Sequence, residues 1–407
     1  MSDLRARDED GRLPKVREAG AEASRGVHRG AARRALACSH DDTIVSAPTP
    51  PEIVERGALG TVFITEAGCD KFLEHLPIER QARRWLRSRV HISPRTLGRA
   101  VCGLADLCEP IARAIHGETR RCELLSADAT GLPILDPEHP EHIRTGAVWV
   151  CIGDARWVSF MYVPDGGAEH IKTFLGDERG RIVRCDGTST LNFIERNGGK
   201  RPGCWAHARR RFVFAARGGD TLALDALRLI ARLFAIDAES AKASEDAAGR
   251  KLRRCTHAPA LLDEIRAWLD NHRGLIPPKT PLGKALGYLH RQWPRLLLFL
   301  EDGRIELTNN HAERELRRLV LGRKNWLFAS KDIGGQRAAT MLTIFGSCIA
   351  QGVRPREYLH ELVKRLLAGW PQAKLRELLP DRLVLTAPTV SALPAPTNDQ
   401  LAASLAG

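Results

Sequence analysis

The sequence predicts a mixed α/β fold: a sheet flanked by helices, preceded by a helical region and interrupted by a helical insertion. Three observations carry this prediction. Residues 118–190 contain short β-branched and aromatic runs in the order strand, strand, strand, helix, strand. Residues 68–117 and 206–300 instead repeat apolar side chains at helical spacing. The length of 407 residues is sufficient for two or three domains with a sizeable core.

The composition is that of a globular protein with a basic surface. Hydrophobic residues make up 43% and charged residues 27% of the chain. Lys and Arg number 62 against 49 Asp and Glu, which leaves a net charge of +13. Such a balance favours a polyanionic partner, most commonly nucleic acid, although an arginine-rich proteome produces the same balance.

Simple counts exclude a membrane-spanning protein and a small protein stabilised by disulfide bonds. No stretch approaches the ~20 apolar residues that a membrane span requires. The first five residues are charged and precede no apolar run, so we do not expect a signal peptide. The ten cysteines form no CxxC pair, which favours reduced thiols. We therefore expect a cytoplasmic, nucleoid-associated protein that does not bind membranes.

The region before the sheet is predicted to be helical and basic. Residues 79–89 fit one helix, and a second begins with Ser93 as N-cap and Pro94 in the first turn. Helix, tight turn and helix together suggest a helix-turn-helix that contacts DNA, although an ordinary basic helical hairpin has the same pattern. The arginines expected on this surface are Arg83, Arg84, Arg87, Arg95 and Arg99.

The sheet is predicted from four short runs. Residues 122–127 form the first strand, and 147–152 and 157–163 form a hairpin around Gly153-Asp154. A helix at 168–175 and a strand at 181–185 follow.

The remaining chain is predicted to be mainly helical, with helices at 221–235, 261–269, 281–300 and 309–320 and a long apolar helical stretch within 336–370. Residues 1–50 and the Pro- and Ala-rich tail are expected to be weakly ordered. The predicted organisation has seven segments: 1–50, 51–117 (DNA-binding), 118–214 (first catalytic part), 215–300 (helical insertion), 301–345 (last catalytic part), 346–387 (C-terminal helices) and 388–407.

Three acids stand at suggestive positions, although each has an ordinary explanation. Asp128 is expected to close the first strand and Asp186 to follow the fourth, but Asp before Gly or Thr is also common in turns. Glu313 falls in the first turn of a helix, where it could instead complete a capping box with Asn310 as N-cap.

The order of the acids is more specific than any one of them. An acid on strand one, an acid after strand four and an acid on a later helix is the order of an RNase H-like site. Strands one and four are neighbours in that sheet, so Asp128 and Asp186 should lie together, with Glu313 beside them. Such oxygen ligands suit Mg²⁺ or Mn²⁺, and two ions ~3.5–4 Å apart can clamp both oxygens of an in-line displacement at phosphorus.

Several longer segments resemble one known family. They are KFLEHLPIERQ (71–81), SADATGLPILDP (126–137), GCWAHARRRF (203–212), FLEDGRIELTNNHAERELR (299–317), LGRKNWLFAS (321–330) and LLPDR (378–382). With them the chain, from about residue 57 to 385, resembles the bacterial insertion sequence 66 family of DDE transposases.

The resemblance implies a catalytic, metal-binding triad, which maps onto Asp128, Asp186 and Glu313. Asp128 and Glu313 lie inside matched segments, whereas Asp186 does not; Asp177 and Asp165 are weaker candidates for its role. The resemblance also implies Mg²⁺ or Mn²⁺ as cofactor and DNA as partner, namely the terminal inverted repeats and the target. A homo-oligomer on DNA and small accessory proteins of the same element are further expected partners.

A CxxH motif follows the fourth strand. Cys204 and His207 could be half of a zinc site, but no second pair lies at ligand spacing, so packing and hydrogen bonding beside the catalytic site is favoured. We expect Cys204, His207 and Asn310 to support the site. The residues expected to contact phosphates, unless they only form a solvated face, are Arg209, Arg210, Arg211, Arg314, Arg317, Arg323 and Lys324.

The predicted function is therefore metal-dependent cleavage and strand transfer at the ends of an insertion sequence. The sequence departs from the family near its start, where only Cys38 and His40 remain of a Cys-rich zinc module. Two alternatives follow: an inactive or domesticated DNA-binding relic, and an RNase H-like nuclease that cuts without joining.

Overall fold

A mixed five-stranded sheet lies at the centre of the computed structural model, which describes residues 35–37, 44–46, 51–55, 57–165, 167–176 and 180–385. A separate two-stranded antiparallel ribbon is formed by β1 (Ala35–Ala37) and β2 (Ile44–Ser46). The strands of the central sheet are β3 (Leu124–Leu135), β4 (Ile143–Gly153), β5 (Trp157–Val163), β6 (Ile182–Arg184) and β7 (Ala329–Ser330).

The strand order of the central sheet is β5-β4-β3-β6, and β7 also pairs with β3. β4 runs antiparallel to both of its neighbours, whereas β6 and β7 run parallel to β3. The predicted mixed sheet, its hairpin and the adjacency of the first and fourth strands are therefore confirmed.

Thirteen α-helices are found among the described residues. They are α1 (Thr61–Phe72), α2 (Ile78–Arg87), α3 (Pro94–Arg121), α4 (Ala168–Leu175), α5 (Asn192–Arg196), α6 (Trp205–Arg217), α7 (Leu222–Lys242), α8 (Ala247–His257), α9 (Pro259–Arg273), α10 (Pro281–Leu296), α11 (Asn310–Trp326), α12 (Lys331–Ala350) and α13 (Pro355–Leu367). No described helix is both long enough and apolar enough to cross a membrane.

The first strand of the sheet is longer than predicted. The sequence predicts a strand that ends at residue 127, but β3 continues to Leu135 and pairs with β4 throughout. On the other side, β3 pairs with β6 only at 124–126 and with β7 only at 134–135. Pro133 therefore lies where that side of β3 has no partner strand, as its missing N–H requires. Asp128 lies within the strand, at this gap, and not at the end of the strand.

Both faces of the sheet are covered by helices. Alternate residues of β3 and β4 face opposite ways, as the two-residue period of a strand requires. Leu125, Ala127 and Cys151 join one core with α1, α3 and α13. Leu132 and Val150 join the other core with α11. α12 contributes to both cores. Because helices cover both of its faces, the sheet is the middle layer of three.

The predicted DNA-binding region shares the first of these cores. The side chain of Ser93 accepts a hydrogen bond from the Thr96 N–H at 3.0 Å, so the predicted N-cap of α3 is confirmed. α3 then continues to Arg121 and buries Leu97, Leu104 and Ile111. The helix after the turn is thus largely a core helix, and the predicted contact residues Arg95 and Arg99 are exposed on its first turns.

The predicted helical insertion forms a core of its own. Apolar residues of α6, α7, α9 and α10 pack together around Trp205, Phe212, Ile230 and Leu286. The helix α8 was not predicted, because its sequence is mostly polar. Its Arg254 is buried and pairs with Asp237, and it donates hydrogen bonds to the carbonyl oxygens of Phe299 and Ile305.

The C-terminal region contains two helices where one long stretch was predicted. α12 ends before Gly352, whose φ of +68° is readily adopted by glycine, and α13 begins at Pro355. Most of the predicted weakly ordered start, including Cys38 and His40, and the predicted tail at 388–407 lie outside the described residues. Nine cysteines within the described ranges are free thiols, as predicted.

The outer edge of β5 is satisfied by hydroxyl groups of a helix. Ser347 of α12 accepts the Val158 N–H at 3.0 Å and donates to the Val158 carbonyl oxygen at 2.9 Å. One helical turn earlier, Thr343 accepts the Phe160 N–H at 2.8 Å. Ser347 and Thr343 are four residues apart on the helix, and Val158 and Phe160 are two residues apart on the strand. These two spacings are similar in length, so each hydroxyl reaches its own backbone group. The edge is thereby closed to pairing with another chain.

Replacing Ser347 with Ala should destabilise the protein by about 1–3 kcal/mol, because it leaves the buried Val158 N–H without a partner. The free energy of unfolding in urea measures this effect. The control is Thr256→Val in α8, which changes an exposed hydroxyl and should alter stability by less than about 0.5 kcal/mol. Equal stability of Ser347→Ala and the wild type would contradict this account of the edge.

Candidate functional site

Asp128 lies on β3 at the gap between β6 and β7. The pKa of its carboxyl is raised to about 6, mainly by burial and in addition by the negative charges of Asp186 and Glu313. The N–H of Ala129 donates a hydrogen bond to Asp128 Oδ1 at 2.8 Å, and this bond lowers the pKa of Asp128. Asp128 is therefore a partly buried acid that lies within the electrostatic reach of both other predicted acids.

Asp186 follows the parallel neighbour of this strand. The β3–β6 register pairs Leu124 with Ile182 and Ser126 with Arg184. Continued by two residues, the same register brings Asp128 opposite Asp186, although the ladder itself ends at Arg184. Adjacent strands lie ~4.8 Å apart, so the sheet brings these two acids together.

The loop that carries Asp186 is fixed by a buried arginine. Arg201 is almost fully buried and donates to the carbonyl oxygen of Thr188 at 2.5 Å and to that of Asp186 at 3.5 Å. Asp186 itself accepts the Thr188 N–H at 3.0 Å through its Oδ1. Sequence analysis did not single out Arg201, because nothing local to it distinguishes a buried arginine from an exposed one.

Glu313 reaches the site from the first turns of α11. Its Oε2 accepts a hydrogen bond from Arg210 at 2.9 Å, and its Oε1 lies 3.6 Å from His207 Nε2. Oε1 is buried and has no hydrogen-bond partner. The helix begins at Asn310, so Asn309 is the N-cap, Glu313 is one position beyond a capping-box acid, and Asn310 is exposed. The predicted N-cap was therefore one residue too late.

Asn309 was missed by the sequence analysis and is the buried amide of the site. Its Nδ2 donates to the Ala127 carbonyl oxygen at 3.0 Å, and its backbone N–H donates to Cys204 Sγ at 3.2 Å. Its own carbonyl oxygen accepts the Glu313 N–H at 3.2 Å. Asn309 thus joins the elements that carry Asp128, Cys204 and Glu313, and its Oδ1 is buried without a partner.

The CxxH motif lies at the start of α6, beside the acids. Cys204 is the buried N-cap of that helix, and His207 is one turn further along it. Burial lowers the pKa of His207, and the charge of Glu313 opposes this effect. Ligand atoms of Cys204, His207 and Glu313 lie within 4.8 Å of one another. Among the described residues, the three predicted carboxylates do not form so tight a group.

The residues present fit a divalent cation. The site offers carboxylate oxygens from three elements, and two buried oxygens in it, Glu313 Oε1 and Asn309 Oδ1, lack hydrogen-bond partners. A buried acceptor without a donor is costly, and a cation or its hydration water removes that cost.

The predicted basic residues are distributed over three surfaces. Arg209, Arg210 and Arg211 are exposed on α6, where Arg211 lies 4.3 Å from the ring centroid of Tyr288 and Arg210 pairs with Glu313. Arg323 donates to the Gly131 carbonyl oxygen of β3. The other predicted phosphate contacts are exposed on α2, α3 and α11: Arg83, Arg84, Arg87, Arg95, Arg99, Arg314, Arg317 and Lys324. Arg84 pairs with Asp70.

Of the two weaker acidic candidates, the structure describes only Asp165. Asp165 is exposed, and its Oδ1 lies 3.5 Å from His170 Nε2. In the sequence it follows β5, the second strand of the β4–β5 hairpin. Asp177 lies outside the described residues.

Comparison with known proteins now decides the family. A model described as "Transposase IS66 family" matches residues 56–337, more than half of the chain and including all three acids. The chain belongs to the IS66 transposase family. The resemblance found in the sequence motifs is thereby confirmed.

Three similar proteins come from one bacterium. Three proteins of Sinorhizobium fredii (strain NBRC 101917 / NGR234) are similar to this IS66-family chain, and each is described only as an uncharacterized protein. They are y4hP, with 29% identity over 86% of this chain and 66% of the relative; y4qI, with 27% over 83% and 65%; and y4jD, with 26% over 81% and 67%. The chain thus spans about two thirds of the length of these relatives.

The raised pKa of Asp128 has a consequence for stability in metal-free buffer. Because the folded-state pKa of about 6 exceeds the unfolded value of about 3.9, protonation favours folding. The stabilisation is complete below about pH 4 and is lost as the pH rises through about 6. Asp128→Asn should therefore be more stable than the wild type by on the order of 2–3 kcal/mol at about pH 8.

Urea unfolding in EDTA at several pH values measures this difference. The two proteins should converge near pH 4, where both side chains are neutral. A constant difference across the pH range would show that Asp128 ionises normally and would contradict the burial argument.

Proposed function

We propose that this chain is the DNA-cleaving and strand-transferring enzyme of a bacterial insertion sequence, with Asp128, Asp186 and Glu313 as its catalytic triad. The observation that carries the proposal is that the charges of Asp186 and Glu313, from distant parts of the sequence, both raise the pKa of Asp128. The register of β3 and β6, if continued by two residues beyond the end of the ladder, brings Asp128 opposite Asp186 and supports the same grouping.

We further propose that the catalytic unit is RNase H-like. The sheet order supports this assignment: the first strand lies between an antiparallel second strand and a parallel fourth strand, with the third strand outermost. The late helix α11 then supplies an acid beside the first strand, and the helices α7–α10 form an insertion between the second and third acids. Parts 118–214 and 301–345 would make up this unit.

The three acids are proposed to hold Mg²⁺ or Mn²⁺. When bound, such ions activate the attacking oxygen and stabilise charge on the leaving oxygen of a phosphodiester. Asp128 and Asp186 would supply ligands from adjacent strands, and Asn309 would keep Asp128 and Glu313 in register through its bonds to both elements. Arg210, which already contacts Glu313, is exposed enough to contact a phosphate oxygen of the substrate as well.

The proposed substrate is the DNA at the ends of the element, followed by target DNA. Water would attack first, and the freed 3′-hydroxyl would then attack the target in the same site. The exposed arginines of α6 and α11 lie on the helices that carry His207 and Glu313, so they are suited to position the backbone near the acids. The arginines of α2 and α3 are proposed as a second DNA contact, and assembly as an oligomer on DNA stays a prediction.

A cleavage and joining assay tests the proposal. Purified protein is mixed with supercoiled DNA that carries the element ends, in Mg²⁺, in Mn²⁺ and in EDTA. We expect nicks at the ends and joined products with either ion and neither with EDTA. Nicking without joined products would favour the nuclease alternative, and DNA binding without nicking would favour the inactive relic.

A further inference from the structure

We infer that Cys204, His207 and Glu313 form a second kind of metal site, which takes Zn²⁺ or a similar borderline ion rather than Mg²⁺. This inference goes beyond the proposed function, since it assigns a metal to the CxxH motif and gives Glu313 a second ligand role. It does not require that the protein cut DNA.

The geometry brings three different ligand atoms together. Cys204 and His207 are three residues apart at the start of α6, so both side chains lie on one side of its first turn. Glu313 approaches that side from α11, and ligand atoms of all three lie within 4.8 Å of one another. Ligands of a tetrahedral zinc ion are ~3.3–3.8 Å apart, so movements of under ~1 Å suffice.

Unpartnered polar atoms in the cluster point to a missing ligand. Glu313 Oε1 and His207 Nδ1 are both buried without a hydrogen-bond partner, although His207 Nε2 lies 3.6 Å from Glu313 Oε1. A buried polar atom that is left without a partner destabilises the fold. A bound cation would be coordinated by Oε1 and one imidazole nitrogen.

The surroundings of the cluster already orient its ligands. The Asn309 N–H donates to Cys204 Sγ at 3.2 Å, and Arg210 donates to the other oxygen of Glu313 at 2.9 Å. Outer hydrogen bonds of this kind fix the ligands of zinc sites and favour the thiolate. On binding, the thiol of Cys204 would release its proton to solvent while its sulfur coordinates the metal.

The ligand chemistry selects the ion. A thiolate and an imidazole favour Zn²⁺ or Co²⁺ over the hard ion Mg²⁺, which prefers oxygen. Three protein ligands leave one position of a tetrahedron open. The side chains of His207 and Glu313 are 20% and 27% exposed, so water can reach that position.

Sharing of Glu313 has a functional consequence, which rests on the proposed function. Zn²⁺ at the Cys–His–Glu site would hold the carboxylate that the triad needs, so micromolar Zn²⁺ should inhibit Mg²⁺-dependent cleavage. A zinc-selective chelator, added in the presence of excess Mg²⁺, should restore it.

Titration of the full metal-free chain with Co²⁺ tests the site directly. We expect a thiolate-to-cobalt charge-transfer absorbance that saturates at one equivalent and is bleached by Zn²⁺. Cys204→Ser should abolish the band, whereas the control Cys255→Ser, which changes the exposed cysteine of α8, should retain it. His207→Gln should weaken Co²⁺ binding at least tenfold. Circular dichroism must show that each variant is folded.

The outcomes separate this inference from the proposed function. A Cys204-dependent cobalt band in a protein that never cuts DNA supports the metal site and contradicts the transposase proposal. Absence of the band from folded wild-type protein, or its persistence in Cys204→Ser, overturns the metal site whatever the cleavage assay shows.

Discussion

Cleavage of element-end DNA should fall at least about 1,000-fold when Asp128 is replaced by Asn, which corresponds to about 4 kcal/mol of transition-state stabilisation. The amide has nearly the shape of the carboxylate but lacks its charge, so it is a poor ligand for Mg²⁺. Single-turnover cleavage measures the chemical step. DNA binding should change little, because Asp128 is partly buried and carries no positive charge.

The matched control for this prediction is Asp154→Asn. Asp154 lies in the tight turn between β4 and β5, away from the other acids in sequence. The Asp154→Asn variant should cut element-end DNA at close to the wild-type rate. Undiminished cleavage by the Asp128 variant in Mg²⁺ would exclude Asp128 from the catalytic site.

Replacement of Trp205 by Ala should cost about 3–5 kcal/mol of folding free energy, the largest stability effect that we expect from one side chain. Trp205 is fully buried, and its Nε1 donates to the Leu296 carbonyl oxygen at 2.9 Å. Its ring packs edge-on against Trp293, with 6.1 Å between ring centroids. It thus fastens the start of α6, which carries the CxxH motif, to the helical insertion.

Urea unfolding measures this loss, and two variants serve as comparisons. Trp205→Phe retains most of the apolar contact and should lose clearly less stability. Phe214→Ala removes a ring of α6 that is 69% exposed and should change stability by about 0.5 kcal/mol or less. A loss below about 1 kcal/mol in Trp205→Ala would contradict the role of this side chain in the insertion core.

Local patterns predicted much of the fold. The β-branched and aromatic hairpin and the Ser93 cap of α3 were found because their signals lie within a few residues of chain. The extension of β3 was missed because its second half is held by β4 and β7, whose residues are distant or follow a loop. A strand that contains Gly131 and Pro133 cannot be distinguished from a turn without knowledge of those partners.

In the candidate site, too, some features were predicted from the sequence and others, which depend on distant residues, were missed. The order of acids along the strands and a helix predicted that Asp128, Asp186 and Glu313 should meet, and the charges of the other two act on Asp128. Asn309 was overlooked in favour of its exposed neighbour Asn310, because adjacent asparagines at a helix start have the same local pattern. The contact of Glu313 with the CxxH motif joins residues more than 100 positions apart, so spacing alone could not predict it.

The most direct test of the central claim is end cleavage by Asp186→Asn, because Asp186 lies outside the distinctive motifs and depends on the sheet for its assignment. The comparison variant is Asp165→Asn, which changes an exposed acid that the sequence also offered for this role. In Mg²⁺ and on the same element-end DNA, we expect Asp186→Asn to lose cleavage as completely as Asp128→Asn, while Asp165→Asn retains it. Wild-type cleavage by Asp186→Asn, or its loss in a folded Asp165→Asn, would contradict the proposed triad.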